Sequence, residues 1–205
     1  MPGARSKQAT QPRLIALAGP NGAGKSTAAR PLLKETLGVT QLVDADRIAA
    51  GLSRFEPGKA ALTAGKVMLA RIKELAANRV TFAFETTLAG RWYASWLSEL
   101  AKQGYSFHLI FLCLPSPEFA LERVADRVRR GGHAVDERTV RRRYRAGLMN
   151  FFSLYQPLAT GWRMYDNSGA LPRLVAAGRR RDAVLVEDEL TWTMLQRSHG
   201  GDDVR

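Results

Sequence analysis

The chain has 205 residues, of which 45% are apolar and 24% charged, and these proportions exclude a disordered or fibrous chain and predict one globular domain. Its formal net charge of +12 suggests a polyanionic partner. No apolar run approaches the about 20 residues of a membrane-spanning helix, and residues 1–12 lack the apolar core of a signal peptide. The only cysteine, Cys113, excludes an intrachain disulfide and a cysteine-based zinc cluster, so a reducing cytoplasm is the simplest compartment.

Short apolar runs alternate along the chain with amphipathic segments. We predict strands at residues 13–18, 41–43, 80–84, 107–114 and 163–165, and a terminal hairpin of residues 174–177 and 183–186. Helices are predicted at residues 26–37, 48–52, 58–78, 92–102, 118–130, 136–153 and 187–196, with a kink or an early end at Pro31. This alternation predicts an α/β fold with a doubly wound, mostly parallel sheet and helices on both faces.

The turn after the first predicted strand has the spacing of a phosphate-binding loop (P-loop). Gly19 to Ser26 matches G-x-x-x-x-G-K-[ST] without a gap, between a strand and a helix as this motif requires. Its glycines let backbone N–H groups surround a phosphate. Lys25 is expected to reach the β- and γ-phosphates, and Ser26 to offer its hydroxyl to Mg²⁺. The residues assigned to the nucleotide here are Gly19, Pro20, Asn21, Gly22, Ala23, Gly24, Lys25, Ser26 and Thr27.

The motifs that the sequence lacks narrow the class of P-loop protein. The LSGGQ signature of ABC ATPases and the N-K-x-D pattern of small GTPases are absent from the sequence, and no apolar run has the form of a Walker B strand. This pattern favours a small-molecule kinase. We therefore expect residues 13–198 to form a single P-loop kinase-like domain, after a disordered tail of residues 1–12 and before a frayed end of residues 199–205.

Carboxylates follow the second and third predicted strands, at the sheet edge where such folds bind ligands. Asp46 is the candidate base that orients an acceptor hydroxyl, and Asp44 the candidate that holds Mg²⁺ through water. Either aspartate could instead cap the helix that follows. Glu85, with Thr86 beside it, is assigned to the acceptor, and the alternative is a buried structural carboxylate.

Residues 123–145 contain nine arginines against three acidic residues, which points to a local anion site. The spacing of Arg123, Arg127 and Arg130 places them on one helix face, and Gly131-Gly132 permits a turn before the next helix. We interpret residues 118–153 as a lid over the triphosphate, in which Arg127, Arg130 and Arg141 are the candidates that stabilise the transferring phosphoryl group. A solvated arginine-rich helix face is the alternative.

The chain resembles the zeta-toxin-like family of small P-loop kinases, in the short bacterial form often labelled a predicted ABC-type ATPase. The resemblance rests on GPNGAGKST (19–27), DADRIA (44–49), FETTLAG (84–90), the stretch from LPSPE to GGHAV (114–135), RRRYRAGLMNF (141–151) and YDNSG (165–169). It implies a kinase dependent on ATP or GTP and on Mg²⁺, with Lys25, Ser26, Asp46, Glu85 and the lid residues Arg127 and Arg130 in the functional positions.

The resemblance also implies a substrate class and a partner. Members of the family phosphorylate a hydroxyl of UDP-N-acetylglucosamine and are held inactive by an antitoxin that blocks the nucleotide site, so this chain could be the toxin of such a pair. Three departures leave the acceptor open. The chain is shorter than long zeta toxins, its lid is richer in arginine than charge stabilisation needs, and Asp136 follows GGHAV where a proline is expected. The alternatives are a nucleic-acid end kinase and a nucleotide-dependent interaction protein.

Overall fold

The computed structural model describes residues 11–52, 57–132 and 134–200. The side chains of residues 46, 50, 52, 57–62, 184 and 198–200 lie outside the described part. Residues 1–10 of the expected tail and 201–205 of the expected frayed end also lie outside it. No helix within the described ranges is long and apolar enough to cross a membrane.

Strands and helices alternate along the described chain. The strands are β1 Arg13–Ala18, β2 Leu42–Val43, β3 Phe82–Thr86, β4 Ser106–Cys113, β5 Gly161–Asp166, β6 Arg173–Arg179 and β7 Asp182–Val186. The helices are α1 Lys25–Ala29, α2 Ala45–Leu52, α3 Pro57–Ala77, α4 Tyr93–Lys102, α5 Pro117–Arg129, α6 Glu137–Asn150, α7 Gln156–Leu158 and α8 Glu189–Gly200. Two π-helical segments, Arg30–Thr36 and Phe151–Tyr155, continue α1 and α6.

All strands join one sheet in the order β2-β3-β1-β4-β5-β6-β7. The pairs from β2 to β5 are parallel, and β6 and β7 are added antiparallel. The prediction of a mostly parallel sheet in an α/β fold is therefore confirmed. The predicted terminal hairpin forms, and it extends this same sheet. β1 is the middle one of the five parallel strands, so the loop after it lies between the ends of β3 and β4.

Both faces of the sheet are covered by apolar side chains. One core contains most of the large aromatic residues, among them Phe84, Phe111 and Phe151, and the ring of Trp162 on β5 stacks on Trp192 of α8 with centroids 5.4 Å apart. The core on the other face joins Leu17 and its strand neighbours to α1, α5 and α6. Burial of each large apolar side chain contributes roughly 1.5–3 kcal/mol, so the two cores fix the strand ends that carry the site.

Pro31 has the effect expected of a proline within a helix. The α-helical segment of α1 ends at Ala29, and Pro31 stands in the first turn of the π-helical segment that follows. Proline lacks the N–H that an α-helix needs at that position, and its ring clashes with the preceding turn. The α-helix after the P-loop is therefore short, and the chain continues as a π-helix to Thr36.

Candidate active site

The loop from Gly19 to Gly24 has the backbone shape of a phosphate cradle. Gly19, Gly22 and Gly24 have φ of 144°, 80° and 77°, a region that side chains disfavour. The Lys25 side chain turns back into the loop, where its Nζ donates to the carbonyl oxygens of Gly19 at 2.9 Å and Pro20 at 3.0 Å. A loop with this shape offers N–H groups, an ammonium group and the start of α1 to one anion.

The loop is held from outside by a residue after β5. The Nδ2 atom of Asn167 donates to the carbonyl oxygen of Ala23 at 2.8 Å. A Cβ atom at Gly24 would lie 2.7 Å from that same nitrogen, so the contact requires glycine there. Our sequence assignment missed Asn167, although it lies within the YDNSG segment that supported the resemblance. We therefore regard Asn167 as a residue that positions the P-loop.

A buried carboxylate at the end of β3 lies next to the P-loop. The Ser26 hydroxyl donates to Oε2 of Glu85 at 2.9 Å, and Glu85 is buried at the end of β3. Asp44, directly after β2, is also buried. A hydroxyl and carboxylates are oxygen ligands of the kind that Mg²⁺ takes. The sequence assigned Glu85 to the acceptor and Ser26 to Mg²⁺. The structure brings these two side chains together.

Asp46 and Thr86 are the two other residues that the sequence assigned to the acceptor. The backbone of Asp46 lies in the first turn of α2, but its side chain is outside the described part of the structure. The Thr86 hydroxyl accepts a hydrogen bond from the Leu88 N–H at 3.0 Å and also bonds to Tyr93. Burial raises the pKa of Tyr93 to about 12, which the bond from Thr86 opposes. Thr86 therefore shapes the turn between β3 and α4.

Three arginines, two on α5 and one directly after it, face the P-loop across a cleft of about 500 Å³. Arg123, Arg127 and Arg130 line it together, from the one helix face on which their spacing places them, and Asp126 is the acidic residue that α5 adds to its lining. The Nη2 atom of Arg123 also donates to the carbonyl oxygen of Ser168 at 2.8 Å. The cleft therefore combines the Lys25 ammonium, three guanidinium groups, the Ser26 hydroxyl and the Glu85 carboxylate. This set fits a nucleoside triphosphate with Mg²⁺.

The structure does not bring Arg141 into this group. Arg141 of α6 pairs with Glu118 and with Glu137, the latter at 2.8 Å between Nε and Oε1. The hydrogen bonds that the Arg141 guanidinium donates to Glu118 and Glu137 raise its pKa. Arg143 reaches the P-loop in its place, with Nη1 3.4 Å from Oδ1 of Asn21. Our sequence assignment missed Arg143, because helical phase alone does not show which face of α6 meets the loop.

One end of the expected lid is tied to the rest of the domain. At Gly147 of α6, a Cβ atom would lie 2.3 Å from the carbonyl oxygen of Thr87, so only glycine permits this close packing. Three residues later, the Asn150 amide donates to the carbonyl oxygen of Leu88 at 2.8 Å. The helix that carries Arg143 is therefore anchored on the turn after β3.

Comparison with known proteins assigns the chain to a family. A model of the AAA domain family matches residues 14–148, which run from β1 through the P-loop to α6. The chain belongs to this family. An uncharacterized protein of Haemophilus influenzae is 28% identical over 134 residues, which cover 65% of this chain and 94% of that protein.

Solved structures share the fold of this AAA domain. The AvrRxo1-ORF1:-ORF2 structure with ATP has a TM-score of 0.68 at 18% identity, over 95% of this chain and 66% of that chain. A structure of the PezAT chromosomal toxin-antitoxin system of Streptococcus pneumoniae has a TM-score of 0.60 at 18% identity, over 98% of this chain and 84% of that chain. This chain thus spans just under two thirds of the length of the AvrRxo1 chain that it matches. At such identities the likeness establishes a P-loop kinase-like fold.

Proposed function

We propose that this chain is a kinase of the zeta-toxin type, which transfers the γ-phosphoryl group of ATP or GTP to a hydroxyl of a nucleotide sugar such as UDP-N-acetylglucosamine. The observation that carries the proposal is the hydrogen bond between Ser26 and Glu85, at 2.9 Å, inside the cleft that the arginines of α5 line. It joins a P-loop hydroxyl to a buried carboxylate where a metal-bound triphosphate would be held.

Each group in the cleft has a chemical task in this proposal. The Lys25 ammonium and the N–H groups of the P-loop hold the phosphates, and the bonds from Lys25 to its own loop keep the ammonium in place beforehand. Ser26, Asp44 and Glu85 supply oxygen ligands for Mg²⁺. When bound, Mg²⁺ would neutralise charge on the triphosphate. The buried position of both carboxylates excludes water that would weaken their interactions.

The acceptor is assigned to the side of the cleft where β2 and β3 end. Asp46, at the start of α2, is the proposed base that accepts the proton of the attacking hydroxyl. It follows the strand that pairs with β3, so its backbone lies on the same sheet edge as Glu85. Arg127 and Arg130 are the proposed stabilisers of negative charge on the transferring phosphoryl group, since both line the cleft opposite the P-loop.

A protein antitoxin is part of the proposal. One of the solved structures that share this fold comes from a toxin-antitoxin system, which supports the same pairing here. An antitoxin that covered the cleft would meet a basic surface, because Arg123, Arg127 and Arg130 line it together with Lys25. We therefore expect such a partner to present carboxylates.

Mass spectrometry of the small molecules tests the function directly. Purified protein is incubated with Mg²⁺, ATP and UDP-N-acetylglucosamine, beside Lys25→Ala, Asp46→Asn and the exposed-lysine control Lys34→Ala. We expect one phosphoryl group on the sugar nucleotide with the wild type and with the Lys34 variant, and none with the other two. Asp46→Asn should still bind ATP, since Asp46 is assigned to the acceptor.

The same experiment separates the alternatives. Consumption of ATP without a modified sugar would refute the acceptor while leaving the phosphate-binding assignment intact. An added arm with an oligoribonucleotide that carries a 5′-hydroxyl then tests a nucleic-acid end kinase. Failure to bind either ATP or GTP would overturn the proposal as a whole and favour an interaction protein.

A further inference from the structure

A second groove lies at the opposite end of the sheet from the P-loop. It has a volume of about 610 Å³ and is lined by the amino ends of β1, β4 and β5 and by residues of β6 and β7. Such volumes are typical of sites for small organic molecules. β1 runs from Arg13 in this groove to Ala18 directly before the P-loop, so the two sites are a full strand apart.

The sheet register explains how the floor of the groove is formed. Ile110 of β4 pairs with Arg163 of β5, Arg163 with Ala177 of β6, and Ala177 with Leu185 of β7. These side chains therefore stand in one row on one face of the sheet. Arg163 is exposed, and Leu185 has 45% of its surface exposed. The row is apolar except for the guanidinium group in its middle.

Positive charge surrounds this floor. Arg13, Arg163 and Arg179 all line the groove together with His108, and no Asp or Glu is among its lining residues in the described part of the chain. Burial, followed by the charges of Arg13 and Arg163, lowers the pKa of His108. Three guanidinium groups around one groove repel one another, so an anion placed between them would stabilise the protein.

We infer that this groove is a binding site for a small organic anion that has a carboxylate or phosphate group and an aliphatic body. The arginines would hold the anionic group, and the body would lie on Ile110, Ala177 and Leu185. An inorganic anion would leave this apolar floor uncovered. A nucleic acid fits less well, because the indole of Trp162 in the lining is only 2% exposed and offers no face for stacking on a base.

Nuclear magnetic resonance of ¹⁵N-labelled protein tests this site separately from the P-loop. The probes are octyl phosphate and octanoate. Two controls accompany them: inorganic phosphate supplies the anion without an aliphatic body, and hexanol supplies an aliphatic body without the anion. We expect octyl phosphate to shift the amide signals of Ile110, Arg163 and Ala177 and to bind at least about tenfold more tightly than inorganic phosphate, because its body covers the apolar floor. The octanoate arm shows whether a carboxylate serves as well as a phosphate.

Three variants assign the binding to the groove. Arg163→Gln combined with Arg179→Gln should weaken octyl phosphate binding at least about tenfold, since each removes a charged partner. Leu185→Glu should do the same by placing a carboxylate on the floor. Arg71→Gln, at an exposed arginine of α3, should have no effect. Arg13 is left intact because its Nη2 atom holds the carbonyl oxygen of Leu37 at 2.9 Å.

Several results would overturn the inference. They are shifts confined to the P-loop signals, equal affinity for octyl phosphate and inorganic phosphate, and unchanged affinity in the double arginine variant or in Leu185→Glu. Titration with ATP, which should be unchanged in all three variants, checks that each one is folded. The kinase proposal does not depend on any of these outcomes.

Discussion

Replacement of Gly24 by alanine should destabilise the protein through two separate effects. Gly24 precedes α1 with φ 77° and ψ 21°, the left-handed conformation, which costs an L-residue about 1–2 kcal/mol. The new Cβ would lie 2.7 Å from Nδ2 of Asn167, closer than two such atoms approach, so the amide must move. Its hydrogen bond to Ala23 would then be lost, at about 0.5–1.5 kcal/mol.

We therefore expect Gly24→Ala to lower the free energy of unfolding by about 2–3 kcal/mol, a large part of the 5–15 kcal/mol typical of a domain. Urea unfolding at 25 °C measures the change as a lower midpoint at an unchanged slope. Gly65→Ala is the matched control. Gly65 lies in α3 with open space around its Cβ position, so alanine there should add about 0.5–1 kcal/mol through helix propensity.

A double-mutant cycle with Asn167→Ala separates the two effects. Without the amide, Gly24→Ala should cost only the backbone term, so the two substitutions should be non-additive by about 0.5–1.5 kcal/mol. Equal costs in both backgrounds would show that Asn167 does not constrain Gly24. A loss below about 0.5 kcal/mol in Gly24→Ala itself would refute the backbone argument as well.

Three further predictions concern single side chains. Burial raises the pKa of the Cys113 thiol to about 12, so a thiol reagent at pH 8 should label it only after unfolding, and rapid labelling of the native protein would contradict this. Burial acts to raise the pKa of Asp166, but hydrogen bonds from Arg173 and Ser168 outweigh it and hold that pKa below its usual value of about 3.9. The ionised carboxylate stabilises the fold above that value, and this stability is lost as the pH falls through the lowered pKa. In Asp166→Asn the free energy of unfolding in urea should therefore fall less steeply as the pH is lowered. An unchanged dependence on pH would count against this assignment. Glu85→Gln should lower the proposed kinase rate about 10- to 100-fold while leaving metal-free ATP binding intact, and an unchanged rate would remove Glu85 from the metal site.

The sequence predicts the elements of this fold well where their signal is local. The strand expected at residues 107–114 forms at Ser106–Cys113, because a short, almost continuous apolar run between turn residues suits a parallel strand that is buried on both faces. The π-helical segment Phe151–Tyr155 was predicted as ordinary helix. Its hydrogen-bond pattern depends on packing, since Phe151 contacts Phe111 and Trp162 from distant strands. The spacing of apolar residues within the segment does not show these contacts, so it does not predict the π-helix.

The same distinction applies to the candidate site. The P-loop is contiguous, so its shape follows from its own glycines and lysine. Asn167 and Arg143 contact that loop from 144 and 122 residues away, and their place depends on the order of strands in the sheet. Sequence spacing predicts that the α5 arginines share a face, but it does not predict what that face meets.

The phase of α6 decides what its arginines can do. Residues two apart on an α-helix point in directions about 200° apart, so Arg141 and Arg143 lie on nearly opposite sides. Because Arg143 contacts Asn21 in the P-loop, Arg141 is turned away, towards Glu118 on α5 and Glu137.

Bringing Arg141 to the phosphates would require α6 to turn about half a revolution. The close packing of Gly147 on Thr87 and the amide bond of Asn150 to Leu88 oppose such a turn. Arg141 therefore joins α5 to α6, and it helps to orient the helix whose Arg143 contacts the P-loop.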